Sequence, residues 1–491
     1  MGDLFWTSLE SSKELSRRVF VKGLGFVSVG LVLAAVGGCD LDKLLDEIAH
    51  RPTRRRLRTG SPEVDNDIAT YRQGVTLMKG LGPTDLRSWD NQAGIHGTVA
   101  GGFKFCQHGT DHFFDWHRAY LLNFERIIQK LTGDSKFGLP YWNWNQDPDI
   151  HPAFLDATSS LFSARTRTTM TGQPTGAVTT PVLDPILADS NFFTFSQQLE
   201  GTPHNTVHTW IDNTMGTGGS PLDPIFWAHH CMVDYCWAKW NLELGNNNTN
   251  DPGWTNFSDT HFVDADGNPM STTAAITTLM PLLSYQYESS AIGTSAATAA
   301  ITTKSAYDKL KSRIQAGANI RFDIKQRIAV AEREVISIAK PTSKETRLSP
   351  AELAGIINND AAKERIFTSI DFAQLPPSSD FSVQVFLNLP NANATTPQSD
   401  PHYAGSFAFF GTEPPNAAEA ADHPHEQPRF LVNITDTVQR LRANQQLKEG
   451  SPISIQLVAV PFAGKFERED TQLVLNRIEI LITPVIINDH R

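Results

Sequence analysis

From His117 onward the chain sets Leu121, Phe124, Ile128 and Leu131 three or four positions apart, an apolar stripe that predicts a helix stopping near Thr132 and Gly133. A second helix is predicted over residues 203–211 and a third over 224–244, where Phe226, His230, Val233, Trp237 and Trp240 or Asn241 share a face. The pattern then changes. A small-residue stretch, SAIGTSAATAAITT, precedes a charged segment over 306–340 that reads as helix and is closed by Pro341. A short helix over 349–358 opens with the capping box Ser349-Pro350-Ala351-Glu352. These features make residues 291–375 a helical connector. From about 376 the period becomes two, in Phe381-Ser-Val-Gln-Val-Phe-Leu, Gly405-Ser-Phe-Ala-Phe-Phe, Ile453-Ser-Ile-Gln-Leu-Val-Ala-Val and Leu475-Asn-Arg-Ile-Glu-Ile-Leu-Ile. Such runs, parted by turn-rich loops, predict an antiparallel β-sandwich over 376–491.

At 491 residues the chain needs more than one core, so two or three domains are expected, the first over 63–290. Apolar residues at 40% and charged residues at 19% are ordinary globular values. A formal charge of −11 argues against nucleic acid or an anionic membrane surface as partner. Five arginines crowd positions 51 to 58, and the simplest reading of residues 40–62 is a solvated basic linker.

Residues 1–39 read as an address. Ser16-Arg17-Arg18-Val19-Phe20-Val21-Lys22 resembles a twin-arginine export signal, and the apolar run over 24–36 is too short to span a bilayer. It ends in Val36-Gly37-Gly38-Cys39, similar to a bacterial lipoprotein box, which implies a lipid anchor at Cys39 and a periplasmic or cell-envelope location. Cys231 and Cys236 lie five apart on one predicted helix and point in different directions, so no local disulfide is expected.

The chemistry is in the histidines. CQHGTDHFFDWHR holds His108 and His117; PHNTVHTW holds His204 and His208 one helical turn apart; DPIFWAHHCMVD holds His229 and His230. Imidazole alone suits copper, zinc, iron and nickel. The paired thiolates of structural zinc and the Glu-x-x-His of di-iron sites do not occur at these positions, which leaves a binuclear, nearly all-imidazole centre with room for a small molecule such as O2. Either His229 or His230 completes the second cluster on spacing alone. For the first, His96 is the best third ligand, and His112 is a bystander.

The run of H-x8-H with Trp116-His117-Arg118, then LPYWNW, HNTVH and DPIFWAHH followed by Asp234, resembles the tyrosinase and polyphenol oxidase family over residues 90–290, as far as Tyr285 and Tyr287. The resemblance implies a mainly α domain built on a four-helix bundle, with two copper ions and O2 as co-substrate. One copper would sit on His96, His108 and His117, the other on His204, His208 and His230. Arg118 and Asp234 would stand behind the ligands. Cys106-Gln107-His108 is similar to the C-x-H of fungal members and implies a thioether between Cys106 and His108. Glu200 and Asn205 resemble the pair that holds a water able to take the proton of an incoming phenol. The segments beginning at Phe381 and Tyr403 resemble the last domain of plant polyphenol oxidases, which packs over the copper cleft.

The implied reaction is oxidation of a small o-diphenol to the o-quinone, with o-hydroxylation of monophenols. A catechol oxidase, an o-aminophenol oxidase and an oxygen carrier like hemocyanin share the ligand pattern. The Gly216–Ser220 loop, with Gly218 and Gly219, falls beside the cleft, where small residues would either widen access or simply make a turn.

Overall fold

The computed structural model describes residues 50–100, 102–288, 324–361, 363–411, 427–447 and 452–485. The expected export segment and Cys39 lie outside them. No helix of the described residues is long and apolar enough to cross a membrane.

The first half is helical: α1 (Pro62–Lys79), α2 (Trp89–His96), α3 (Phe113–Thr132), α4 (Phe192–Leu199), α5 (Asn205–Ile211) and α6 (Ile225–Ala238). Local chemistry sets their ends. Pro62 opens α1, the Asn191 side chain accepts from Phe193 and Thr194 N–H to cap α4, and α3 stops at Gly133, whose φ of 76° suits a residue without Cβ. Between α4 and α5 the chain widens into a π-helical turn, Glu200–His204, containing Pro203. A proline has no N–H to donate, so the wider turn absorbs it and α4 runs on into α5. Trp116, Trp142, Trp144, Trp227, Trp237 and Trp240 are buried in the core, where the Trp227 ring lies flat on Phe124 at 3.5 Å.

Residues 51–58 are not a solvated linker. Strand β1 (Thr53–Arg54) pairs in parallel with β6 (Gln286–Tyr287), so the start of the domain is sewn to its end. Arg54 is fully buried between Glu125 and Asp234, while Arg55 pairs with Asp67 and Arg58 with Glu288. The cluster looked like a free basic patch because its acidic partners lie far off in sequence. Two short hairpins complete this half: β2 (Gly97–Thr98) with β3 (Gly102–Phe103), and β4 (Ser258–Val263) with β5 (Pro269–Thr273).

The second half is β, and it starts earlier than expected. Strands β7 (Gln326–Ser337) and β8 (Thr342–Thr346) lie inside the segment read as a helical connector, as does β9 (Glu364–Phe372). Ala, Glu and Arg make 326–337 look helical, but Ile328 and Ile336 are buried and the strand pairs along its length with β14 (Gln472–Pro484), so tertiary pairing overrides propensity. Residues 306–323 of that expected helix lie outside the described residues. The short helix α7 (Pro350–Ile357) does carry the capping box, with both Ser349 and Glu352 engaged. The other strands are β10 (Phe381–Leu387), β11 (Tyr403–Ala408), β12 (Arg429–Asn433) and β13 (Ile453–Pro461). They form two four-stranded antiparallel sheets, β11-β10-β13-β8 and β12-β9-β14-β7, whose apolar residues share one cluster. Edge strand β11 faces the helical half. Its Ser406 and Ala408 carbonyls accept from the Thr202 hydroxyl at 2.7 Å and the Asn205 amide at 2.9 Å.

Candidate metal centre

Four elements and one loop bring the predicted histidines together. His96 ends α2, His117 lies in the first turns of α3, His204 and His208 straddle the start of α5, and His229 and His230 lie on α6. His108 comes from the loop before α3. Two groups of ligating atoms gather, His204, His208, His229 and His230 in one, and His96, Cys106 and His108 in the other. His117 stands between the groups, its ring 4.8 Å from that of His108 and 4.4 Å from that of His230. His112 is elsewhere: it stacks on Phe257 at 3.8 Å and its Nδ1 meets Asp115.

The tautomers follow from the partners. His96 Nδ1 donates to Gly218 O, His117 Nδ1 to Phe113 O, and His208 Nδ1 to Met215 O, at 2.7, 2.7 and 2.8 Å. His108 Nδ1 donates to Glu200 Oε1, and His204 Nδ1 to Asn205 Oδ1. The Asn205 amide is oriented by Ala408 O, which only its nitrogen side can serve. All five rings therefore carry the proton on Nδ1 and turn an Nε2 lone pair inward. His117 Nε2 and His204 Nε2 are buried without a hydrogen-bond partner. Nε2 atoms meet at 3.0 Å between His96 and His108 and at 3.2 Å between His208 and His230. His229 is the reverse. Trp144 Nε1–H points at its Nδ1 from 3.2 Å, and an indole only donates, so the His229 proton sits on Nε2. His230 Nδ1 and His229 Nε2 are also buried without a partner, and His230 Nε2 faces His208 Nε2, so the hydrogen bonds fix the tautomer of His229 but not that of His230.

Backbone geometry supplies these acceptors. Asp212 and Asn213 both take left-handed φ, 64° and 57°, and turn the chain so that Met215 O reaches back to His208. Gly218 serves close approach rather than width. A Cβ there would lie 2.2 Å from Gly102 O, and one at Gly97 would meet Gly102 O and Gly218 O. The β2–β3 hairpin and the 216–220 loop touch backbone to backbone, and that contact puts Gly218 O on His96.

Burial keeps the rings neutral. Desolvation pushes His108, His117, His208, His229 and His230 well below the ordinary imidazole range and His204 down to about 3. Unfolding would free these six rings to take protons near pH 6.5, so the unfolded chain binds more protons below that value. Metal-free protein should therefore lose stability as pH falls below about 6.5, by up to about 1.4 kcal/mol per pH unit for each ring that charges only on unfolding. Asp115 and Asp67, both raised to about 6 by burial, and Asp189 and Asp223, also raised by burial, work in the opposite sense, four groups against six. Thermal melts of the metal-free protein between pH 7.5 and about 4.5 test this; a flat midpoint would contradict it.

Cys106 is buried and unpaired by disulfide, with its sulfur in the same group as His108. Arg118 and Asp234 lie one layer out. Asp234 collects Arg54, Arg118 and the hydroxyls of Tyr285 and Tyr287, both at 2.6 Å. Burial pushes its carboxyl up, but the two guanidiniums and the phenols outweigh this and hold it below the usual carboxylate range.

One residue at the centre was not foreseen. Phe410, just past β11, lies on His208 at 3.8 Å and 16°, with His108 at 5.1 Å, His204 at 5.6 Å and Phe103 at 5.0 Å. The only sequence signal was a pair of phenylalanines before Gly411 at the end of a strand pattern. Phe409 fills the β core and Phe410 points out of it.

Residues 86–179 and 157–243 match the common central domain of tyrosinase. Over this span the chain is similar to the tyrosinase family. Residues 323–481 match a domain of unknown function, DUF7868, a span that begins just before β7. The tyrosinase of Hahella sp. strain CCB-MM4 is 30% identical over 284 residues, covering 45% of this chain and 61% of that protein. Aureusidin synthase of Antirrhinum majus is 30% identical over 279 residues, covering 45% and 49%. The chain thus spans about half to three-fifths of these curated relatives. The fold, beyond the tyrosinase domain, is like that of latent aurone synthase (a polyphenol oxidase), with a TM-score of 0.61 at 20% identity over 89% of this chain and 90% of that one. It is also like that of latent apple tyrosinase, with a TM-score of 0.56 at 19% identity over 88% and 97%.

Proposed function

We propose that the protein is a type 3 copper oxidase of small phenols, closed in this form by its own C-terminal domain. The observation that carries the reading is the set of inward Nε2 atoms, two of them buried without a partner, which asks for Lewis-acidic ions. Neutral imidazoles with no carboxylate among them suit copper. His96, His108 and His117 would hold one ion, and His204, His208 and His230 the other, with Cys106 bonded to His108. Together the ions supply two-electron exchange with O2. The helices that carry the ligands act as a four-helix bundle, and the two sheets with a shared core act as a sandwich laid over the site.

The chain's own residues do the rest. Neutral rings leave no proton to displace before a metal binds, and the apolar walls from Phe103, Phe226 and Phe410 keep the centre dry. The o-diphenol ring takes the position now held by Phe410, stacked on His208. Glu200 and Asn205 are the groups that would receive the proton of a monophenol. In the closed form both are engaged, Glu200 by His108 and Gly109 N–H, and Asn205 by His204 and Ala408. Opening must release the Asn205 amide before it can hold a water, so monophenol hydroxylation is the step most sensitive to the C-terminal domain. Export by the twin-arginine route with an anchor at Cys39 belongs to the same reading.

The test is to load the full chain with copper, count two ions per chain, and compare O2 uptake with tyrosine, a simple catechol and an o-aminophenol. Copper uptake with no turnover of any of them, before or after activation, would leave an oxygen carrier as the better reading. The His96 anchor gives a second check. Gly218→Ala should drive the two loops apart and lower copper from two toward one per chain, read by elemental analysis. Unchanged stoichiometry would remove Gly218 O from the account.

A further inference from the structure

Trp116 sits against the proposed site yet has no part in binding or turnover. Its ring is 4.8 Å from that of His117 and 6.1 Å from that of His96. Its Nε1–H donates to Asp259 Oδ2 at 2.9 Å. Asp259, on β4, is 6% exposed, and a buried carboxylate is costly unless well paired. Its other partners are the backbone N–H of His261 at 2.8 Å and that residue's Nδ1 at 3.3 Å. The His261 side chain is 41% exposed and lies flat on Phe105 at 3.7 Å. A metal-ligand ring, an indole, a buried base and a solvent-facing imidazole therefore stand in line.

Resting on the copper reading, we infer that Trp116, Asp259 and His261 form a proton-coupled relay that carries stray oxidising equivalents away from the ligand histidines. Indole is among the most easily oxidised side chains, and its N–H becomes strongly acidic once an electron is lost. Trp116 gives one electron to the oxidant derived from O2 or hydrogen peroxide at the copper centre, which is thereby reduced by one. The N–H proton passes to Asp259 and leaves through His261 to water. The neutral indolyl radical then takes an electron and a proton from a phenol or ascorbate and returns to tryptophan, or gives a second electron to the same peroxide-derived oxidant and adds water with loss of a proton, ending as hydroxytryptophan.

The surroundings keep the radical at Trp116. Tyr120 is next in line at 4.9 Å, but its O–H donates to the Gln92 carbonyl, which is no base. Beyond it lie Trp227 at 4.6 Å and Trp89 at 6.4 Å, and Trp89 carries the Lys79 ammonium 5.2 Å from its ring, which opposes positive charge there. Along this line of rings, Tyr120 and Trp227 donate to backbone carbonyls, whereas Trp116 has a carboxylate to take its proton.

The experiment exposes copper-loaded full chain to hydrogen peroxide without phenol, and maps oxygen adducts by peptide mass spectrometry beside zinc-loaded protein. Adducts concentrated on Trp116 in the copper form alone are expected. Asp259→Asn keeps an acceptor for the indole but is no base. It should cut Trp116 adducts several-fold, move oxidation onto the ligand histidines, and leave the initial rate on catechol unchanged. Adducts on Trp227 or Trp89 with Trp116 intact, or the same adduct pattern in Asp259→Asn, would overturn the relay. The wild-type map decides even if the variant does not fold. If the chain takes up no copper, the relay and the copper reading fall together; if it takes up two ions and oxidises catechol with Trp116 untouched, the relay alone falls.

Discussion

Replacing Phe410 by alanine is expected to raise kcat/KM for catechol in the intact, copper-loaded chain by about tenfold to a hundredfold. The Phe410 ring lies on the face of His208, where the proposed reaction seats the phenol ring, so substrate would meet only the fraction of molecules in which Phe410 has left. Burying a phenylalanine contributes about 2–3 kcal/mol, and each 1.4 kcal/mol removed from the closed state is a tenfold gain in the open one. The Thr202 and Asn205 bonds to β11 remain, so the domain still docks and the gain stops short of that from cutting between residues 289 and 323. Phe410→Leu should lie between alanine and wild type. The measurement is the initial rate at matched copper content. A Phe410→Ala rate equal to wild type, with cleavage still activating, would mean that the domain closes the site by something other than this ring.

The manner of docking explains why a β domain suits this task. An edge strand carries unpaired carbonyls that must find donors. Strand β11 finds them in Thr202 and Asn205, on the π-helical turn and the first residue of α5, where His204 and His208 are also fixed. The cap is thus attached to the backbone that sets two of the proposed ligands. Trp210 and Phe462 meet edge to face at 5.6 Å farther along the same interface, and the Gln398 amide reaches Pro174 O. These contacts are partly polar, which fits an interface that opens.

The histidine clusters were legible in the sequence because the spacing of His204 and His208, and the Trp-His-Arg run at His117, are local facts of a helix. What holds them was less so. Gly218 O, Met215 O and Phe113 O are backbone atoms, and no side-chain pattern announces which carbonyl a turn will deliver. The choice of His230 over His229 rests on family resemblance, and the indole N–H that occupies His229 Nδ1 comes from Trp144, far off in sequence. The β character of 326–337 was hidden for a related reason. Its composition favours helix, and its strand partner β14 lies near the other end of the chain. Arg54 was misread because burial of a guanidinium depends wholly on partners such as Glu125 and Asp234 that the local run cannot reveal.

Those partners carry the largest stability effect expected here. Asp234→Asn removes the charge on which Arg54 and Arg118 converge and weakens the acceptor for Tyr285 and Tyr287. Glu125 still faces Arg54, but Arg118 keeps no carboxylate of its own among its described contacts, only Thr277 O and the face of Trp237. Breaking a buried pair by neutralising one member typically costs about 3–5 kcal/mol, because the charge left behind stays out of water. For a domain of this size that is roughly a 10 °C fall in Tm. The loss should be smaller in an Arg118→Met background, where there is less stranded charge, and the difference between the two costs measures the coupling. Asp234 is one turn beyond His230 on α6, so copper content should fall with the folded fraction rather than ahead of it. A melting point within about 2 °C of wild type for Asp234→Asn would show that water or a shifted side chain replaces the carboxylate, and that the clasp between β1, β6 and α6 is not what holds the domain closed.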